Sequence, residues 1–237
     1  MNTVAQVMAE LKNKGNPLRI QAFAPHGAPE NLFGVSVADM KVIAKKIKGK
    51  QELAYALYAT GNGDAMYLAG MVADGSLMTK ERLHAWAKKA TWQMIAEHTV
   101  PGVATESKHA RDLATEWITS KNESVASAGW CTCAGIVAVT ADDDLDLQEI
   151  KSLLKKIEKE IDSAPNRVRY TMNGFVIAVG SFVLPLNEQA KATAQKLGKV
   201  EVDMHGTTCK VPLATEYIEK AEKAGRAGKK RKTVKSR

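Results

Sequence analysis

The sequence predicts an all-α solenoid of stacked helix pairs with one small C-terminal β-hairpin, and three observations lead there. The first is Glu116 to Val139, EWITSKNESVASAGWCTCAGIVAV, which reads as the close of one helix, a polar turn and a second helix apolar on nearly every side. Ala110, Leu113, Ala114 and Trp117 share a 3.6-residue stripe, Ser120 to Ser124 makes the turn, and Asn122 or Ser124 can cap the next helix by accepting its free N–H groups. No charge appears from Val125 until Asp142, so this second helix is a central one. The second observation is a recurrence: ATGNGDAMYLAG, sixty positions earlier, repeats the layout of TSKNESVASAGW, with Asn62 in the place of Asn122. The third is NGFVIAVGSFVL, forty-five positions later, which sets Gly174–Phe175 over Gly129–Trp130. Helix pairs at such spacing fit a solenoid of HEAT type, whose repeats run ~40–47 residues. The competing explanation is that antiparallel helices share turns and alanines by chance.

The remaining elements follow in order. Met1 to Lys14 is amphipathic, with Val4, Val7, Met8 and Leu11 on one side, and Pro17, Pro25, Gly27 and Pro29 prevent a continuous helix after it. Ser36 can cap a helix whose stripe is Met40, Ile43, Ala44 and Ile47, with Lys41, Lys45, Lys46 and Lys48 on its other faces. Helices are expected at 51–59, 64–73, 79–90 and 91–99. Asp142 to Asp144 opens an amphipathic helix carrying Leu147, Ile150, Leu154, Ile157 and Ile161, where acids suit a helix N-terminus without any cation. Ser163–Ala164–Pro165 starts the helix of Arg167, Arg169 and Tyr170, and another runs from about Leu186 to Leu197. KVEVDMHGTTCKV then alternates, so that a two-residue His205–Gly206 turn would pair Val202 with Cys209 and Val200 with Val211. A last helix starts near Leu213. The chain thus divides into a repeat domain (1–198), a hairpin with a final helix packed on it (199–219) and a basic tail (220–237).

Composition narrows the function classes. At 237 residues, with 45% apolar and 25% charged side chains, the chain is ordinary for one large or two small globular domains. Its N-terminal helix does not read as a signal peptide and its apolar runs fall short of a membrane span, so a cytoplasmic location and no membrane partner are expected. Cys131, Cys133 and Cys209 suit buried reduced thiols better than a disulfide framework, and neither they nor the five histidines show a metal spacing. No metal, no cofactor and a monomeric state are expected. The net charge of +8 resides in one place: Lys220 to Arg237 holds nine Lys/Arg and one acid, whereas the rest balances at 25 of each. A tail with Lys229, Lys230, Arg231 and Lys232 in a row suits a polyanion such as nucleic acid, or else a solvated end.

Four segments in this order, FGVSVADMKVIAKKI, TWQMIAEHTVP, EWITSKNESVASAGW and RYTMNGFVIAVGS, resemble the DNA alkylation repair family of HEAT-like proteins, typified by the AlkD DNA glycosylases. The resemblance covers roughly residues 30–185 and implies a curved solenoid whose concave face holds duplex DNA by its backbone. It further implies excision of cationic alkylated purines without base flipping, a carboxylate stabilising the oxocarbenium-like sugar beside an aromatic wall. In the family pattern a tryptophan precedes the acid by four residues, and a proline follows it by four. Anchored on Trp92 the acid position falls on Ala96; anchored on Pro101 it falls on Glu97, and Gln93 takes the aromatic's place. The second aromatic corresponds to Phe175, and a family arginine to Ser127. Arg167, Arg169 and Lys108 are the candidate phosphate contacts of the helical part.

The expectation is therefore a DNA-binding repeat protein of that family, holding double-stranded or damaged DNA, with glycosylase chemistry weak or lost. In a bacterium it would be associated with the nucleoid. An active alkylpurine glycosylase using Glu97 with Trp92 and Phe175 is the enzymatic alternative, and a protein-binding solenoid is the third.

Overall fold

The computed structural model describes residues 1–235; Ser236 and Arg237, the end of the predicted tail, lie outside the described residues. Thirteen α-helices and no strands occur among them. They are α1 (Val4–Asn13), α2 (Pro17–Phe23), α3 (Val37–Lys46), α4 (Gln51–Ala59), α5 (Gly63–Val72), α6 (Lys80–Lys89), α7 (Val100–Thr105), α8 (Ala110–Trp117), α9 (Glu123–Val139), α10 (Leu147–Glu160), α11 (Asn166–Phe182), α12 (Asn187–Leu197) and α13 (Ala214–Lys223). A five-residue π-helical turn, Ile95–Thr99, leads directly into α7. No single described helix is long and apolar enough to cross a membrane.

The helices pair as 4–5, 6–7, 8–9, 10–11 and 12–13. Successive second helices, α3, α5, the π turn with α7, α9, α11 and α13, pack against one another along a continuous row, whereas first helices meet only at the two ends of the stack, α1 with α4 and α10 with α12. A stack tight on one side and splayed on the other curves toward the tight side, which puts the second-helix row on the inner face. The central pair joins the two halves of the core. Leu113, Trp117, Val125 and Ala128 belong to the N-terminal hydrophobic cluster, while Ala114, Ala126 and Trp130 belong to the C-terminal one.

The turn chemistry is as read from the sequence. Asn62 Oδ1 accepts the Ala65 N–H at 3.0 Å and Asn122 Oδ1 accepts that of Val125 at 3.1 Å, the same cap in two repeats. Close approach between paired helices needs glycine. A Cβ at Gly129 would stand 2.6 Å from the Ile118 backbone nitrogen. The buried Asp64 carboxylate accepts the backbone N–H groups of Phe33, Gly34 and Val35 at 2.6, 3.0 and 3.0 Å, tying the segment before α3 to α5.

The helix is interrupted after α1, and Pro17 begins the short α2, because proline at the first helical position sacrifices only an N–H that has no partner there; Asn16 caps it at 2.9 Å. Two expectations are corrected. Asp142–Asp144 forms a separate 3₁₀ turn, and α10 opens at Leu147 with Asp146 as its cap. The β-hairpin is absent. Its turn is made, with His205 and Gly206 at φ 52° and 70° and Thr207 N–H bonded to Met204 C=O at 3.1 Å. The arms do not pair because Asp203 turns elsewhere: its N–H donates to Asn166 Oδ1 at 2.7 Å and its C=O accepts from Asn166 Nδ2 at 2.9 Å. The side-chain amide of α11 thus takes the place of a neighbouring strand.

Two glycines of the inner row separate packing from propensity. Gly129→Ala is expected to cost about 1–3 kcal/mol by forcing α8 and α9 apart. Gly174→Ala, whose added Cβ meets nothing within 4 Å, is expected to stabilise by roughly 0.5–1 kcal/mol. Urea unfolding of the two variants checks both signs.

Candidate functional site

The inner face is centred on an ion pair that the sequence does not announce. Glu97, on the π turn, and Arg167, in the first turn of α11, meet in a two-pronged contact: Nε to Oε1 at 2.7 Å and Nη2 to Oε2 at 2.6 Å. Side-chain exposure is 5% for the glutamate and 16% for the arginine, so both charges have left most of their water and each depends on the other. Arg167 is fixed from three further directions. Its guanidinium lies 4.3 Å above the Tyr170 ring, its backbone N–H donates to Glu123 Oε1 at 2.7 Å, and Met204 Sδ is 3.9 Å from Nη1. Burial alone would lower the guanidinium's pKa, but hydrogen bonding and charge from Glu97 outweigh it and hold it raised.

The one-residue conflict in the sequence falls where the chain makes a π turn. The expected span from tryptophan through acid to proline is one residue shorter than Trp92 to Pro101. A π turn closes its hydrogen bonds one residue further on than an α turn, and Ile95–Thr99 lies within that span. The extra residue is absorbed there, and Glu97 reaches the inner face while Ala96 is buried in the core.

A cleft of about 240 Å³ opens beside the pair, bordered by Glu97, Cys131, Tyr170, Gly174 and, from the C-terminal segment, Arg231 and Val234. Burial raises the Cys131 thiol well above its usual pKa and the Glu97 charge raises it further, which disfavours the thiolate. Burial, then Glu97, also raises the Tyr170 phenol.

The other candidates are dispersed. Trp92 is 5% exposed, edge-on to Phe23 at 5.6 Å, in the N-terminal cluster, and it lines a different cavity with Tyr58 and Met66. Phe175 is fully buried against Trp130 at 5.6 Å. The aromatic wall of the enzymatic alternative is therefore not assembled beside Glu97. Gln93 and Arg169 are half-buried, and Lys108 is exposed.

The basic tail is not a free end. Beyond α13 it turns back and crosses the second-helix row as an extended strap: Gly228 N–H donates to Ser181 C=O at 2.9 Å and Arg231 N–H to Ala138 C=O at 2.7 Å. Lys230 pairs with Asp142 at 2.8 Å and also donates to Val137 C=O at 2.9 Å. Lys235, 9% exposed, pairs with Glu106 at 2.7 Å and donates to Ala73 C=O. Charge density made this segment visible in the sequence, but its docking depends on partners up to 162 residues away, which no local pattern reports.

Comparison with known proteins fits this geometry. The sequence model of the DNA alkylation repair enzyme family matches residues 7–208. The chain belongs to the DNA alkylation repair family. An uncharacterized protein of Listeria innocua is 33% identical over 93% of this chain and 98% of its own, and one of Listeria monocytogenes is 32% identical over the same shares. A solved structure superposes with a TM-score of 0.90 at 36% identity, covering 97% of this chain and 98% of that one. It was described as a new family of proteins related to the HEAT-like repeat DNA glycosylases with affinity for branched DNA structures. Within the DNA alkylation repair family, this chain therefore carries the HEAT-like repeat fold with a closed ion pair at its inner face.

The pair makes a stability prediction. Glu97→Gln or Arg167→Met leaves one buried charge without its partner and is expected to cost about 3–5 kcal/mol. The double variant is expected to lose less than the two singles together. A double-mutant cycle by chemical denaturation reads this coupling, and additive losses would contradict it.

Proposed function

We propose that this protein binds DNA along the inner face of its solenoid, through the phosphate backbone and the shape of the nucleic acid, and favours branched over linear duplex. Family membership and the close likeness to a protein with affinity for branched DNA support the partner. The observation that carries the loss of glycosylase chemistry is the Glu97–Arg167 contact. A carboxylate stabilises an oxocarbenium-like sugar by presenting an unneutralised charge to it. Both Glu97 oxygens are already bonded to Arg167, and Trp92 and Phe175 are packed in the core. The face keeps its DNA-holding role while the carboxylate that would face the sugar instead holds the π turn and α11 together.

The enzymatic reading draws on Glu97 bordering the inner-face cleft and matching the family's acid when the pattern is anchored on Pro101. It requires Arg167 to release Glu97 when DNA binds. The protein-binding reading draws on the strap, a segment of the chain itself that lies across the second-helix row.

Fluorescence anisotropy with a four-way junction and a linear duplex of equal length tests the proposal. The junction is expected to bind more tightly, with affinity for both falling steeply as salt rises. Lack of salt-sensitive binding to either would end it. In the companion assay, excess protein is expected to release no free base from methylated duplex. Release that disappears in Glu97→Gln would establish the enzymatic reading instead.

A further inference from the structure

The strap carries five described cations, Lys229, Lys230, Arg231, Lys232 and Lys235, and no acid. They divide into two sets. Lys230 and Lys235 turn toward the helices and neutralise Asp142 and Glu106, two carboxylates of the inner side, and Thr233 Oγ1 adds a 3.1 Å bond to Glu106. Lys229, Arg231 and Lys232 are exposed, and among the described residues no hydrogen bond or ion pair engages their side chains. The fit is close at Gly102, where an added Cβ would stand 3.0 Å from Lys235 Cγ. A docked strap therefore removes two negative charges from the face and sets three positive ones on it.

We propose that the strap is a built-in part of the nucleic-acid surface and not an accessory tail: Lys230 and Lys235 are positioning residues that pin it, and Lys229, Arg231 and Lys232 are the phosphate contacts it presents. The proposal rests on the DNA reading above and deepens it. A backbone polyanion needs cations at fixed positions along a face whose own acids are silenced, and the strap provides both. Outside the tail the basic and acidic side chains balance, so the strap is where positive charge is in excess. Arg231 also borders the cleft beside Glu97 and Arg167, which sets a phosphate contact next to the centre of the face.

Two variants of equal charge separate pins from contacts. Lys229→Met/Lys232→Met and Lys230→Met/Lys235→Met each remove two cations, so non-specific attraction predicts the same loss from both. Junction binding at several salt concentrations is measured beside hydrogen exchange of the C-terminal peptide, which contains the Arg231 amide. The outward pair is expected to lower the salt slope by about two, near 0.9 per lost contact, with exchange protection unchanged. The pin pair is expected to lose that protection and to weaken binding as well. A chain ending at Ala227 is expected to bind more weakly than either. Unchanged affinity and salt slope in the outward pair would overturn the proposal. So would tighter binding once the strap is released, which would make it a plug over the face. Failure of the full-length chain to bind the junction would instead overturn the DNA reading on which the strap's role depends.

Discussion

A helix can lie flush between two neighbours only where its contact positions are small, and this constraint shapes the inner face. Gly129 lets the Trp117–Ile118 backbone approach α9 from one side, and an added Cβ at Gly135 would meet Thr105 of α7 at 2.3 Å. Because second helices pack this tightly and first helices mostly do not, the stack curves and gains a continuous inner surface. Small residues on that surface have a second consequence. At Gly102 the missing side chain lets Lys235 of the strap lie close to α7.

Charge on the same surface is arranged in closed pairs. Glu97, Asp142 and Glu106 are each matched by a cation from far along the chain: Arg167, Lys230 and Lys235. Buried or half-buried carboxylates of this kind are costly alone and economical only in pairs. The pairing therefore ties the N-terminal, central and C-terminal parts of the solenoid together while it removes the negative charge that would repel a phosphate backbone. On the function proposed above, a face suited to DNA and a carboxylate kept from the sugar would be two results of one arrangement.

Much of the fold was legible because it is local. The Asn62 and Asn122 caps, the apolar α9 and the stripe of α10 each declare themselves within a dozen residues. The His205–Gly206 turn was legible for the same reason, and its ladder was not, since Asn166 intercepts Asp203 from another element. The candidate site was legible only in part. Glu97 emerged from spacing to Pro101, yet its π turn is a register change with no composition signal, and Arg167 stood out as a surface cation and not as the acid's partner. Trp92 and Phe175, aromatic residues at motif positions, are buried in the two halves of the core. Lys230 and Lys235 were indistinguishable from Lys229 and Lys232 in a basic run; only tertiary contact sorts them into pins and exposed cations.

The most direct test of the central claim is hydrogen exchange of the full-length protein with and without a four-way junction. The account predicts slowed exchange along the π turn, α7, α9, the first turns of α11 and the strap, with the first-helix row unchanged. Protection confined to α4, α6, α8 or α10 would place nucleic acid on the outer side and contradict the account.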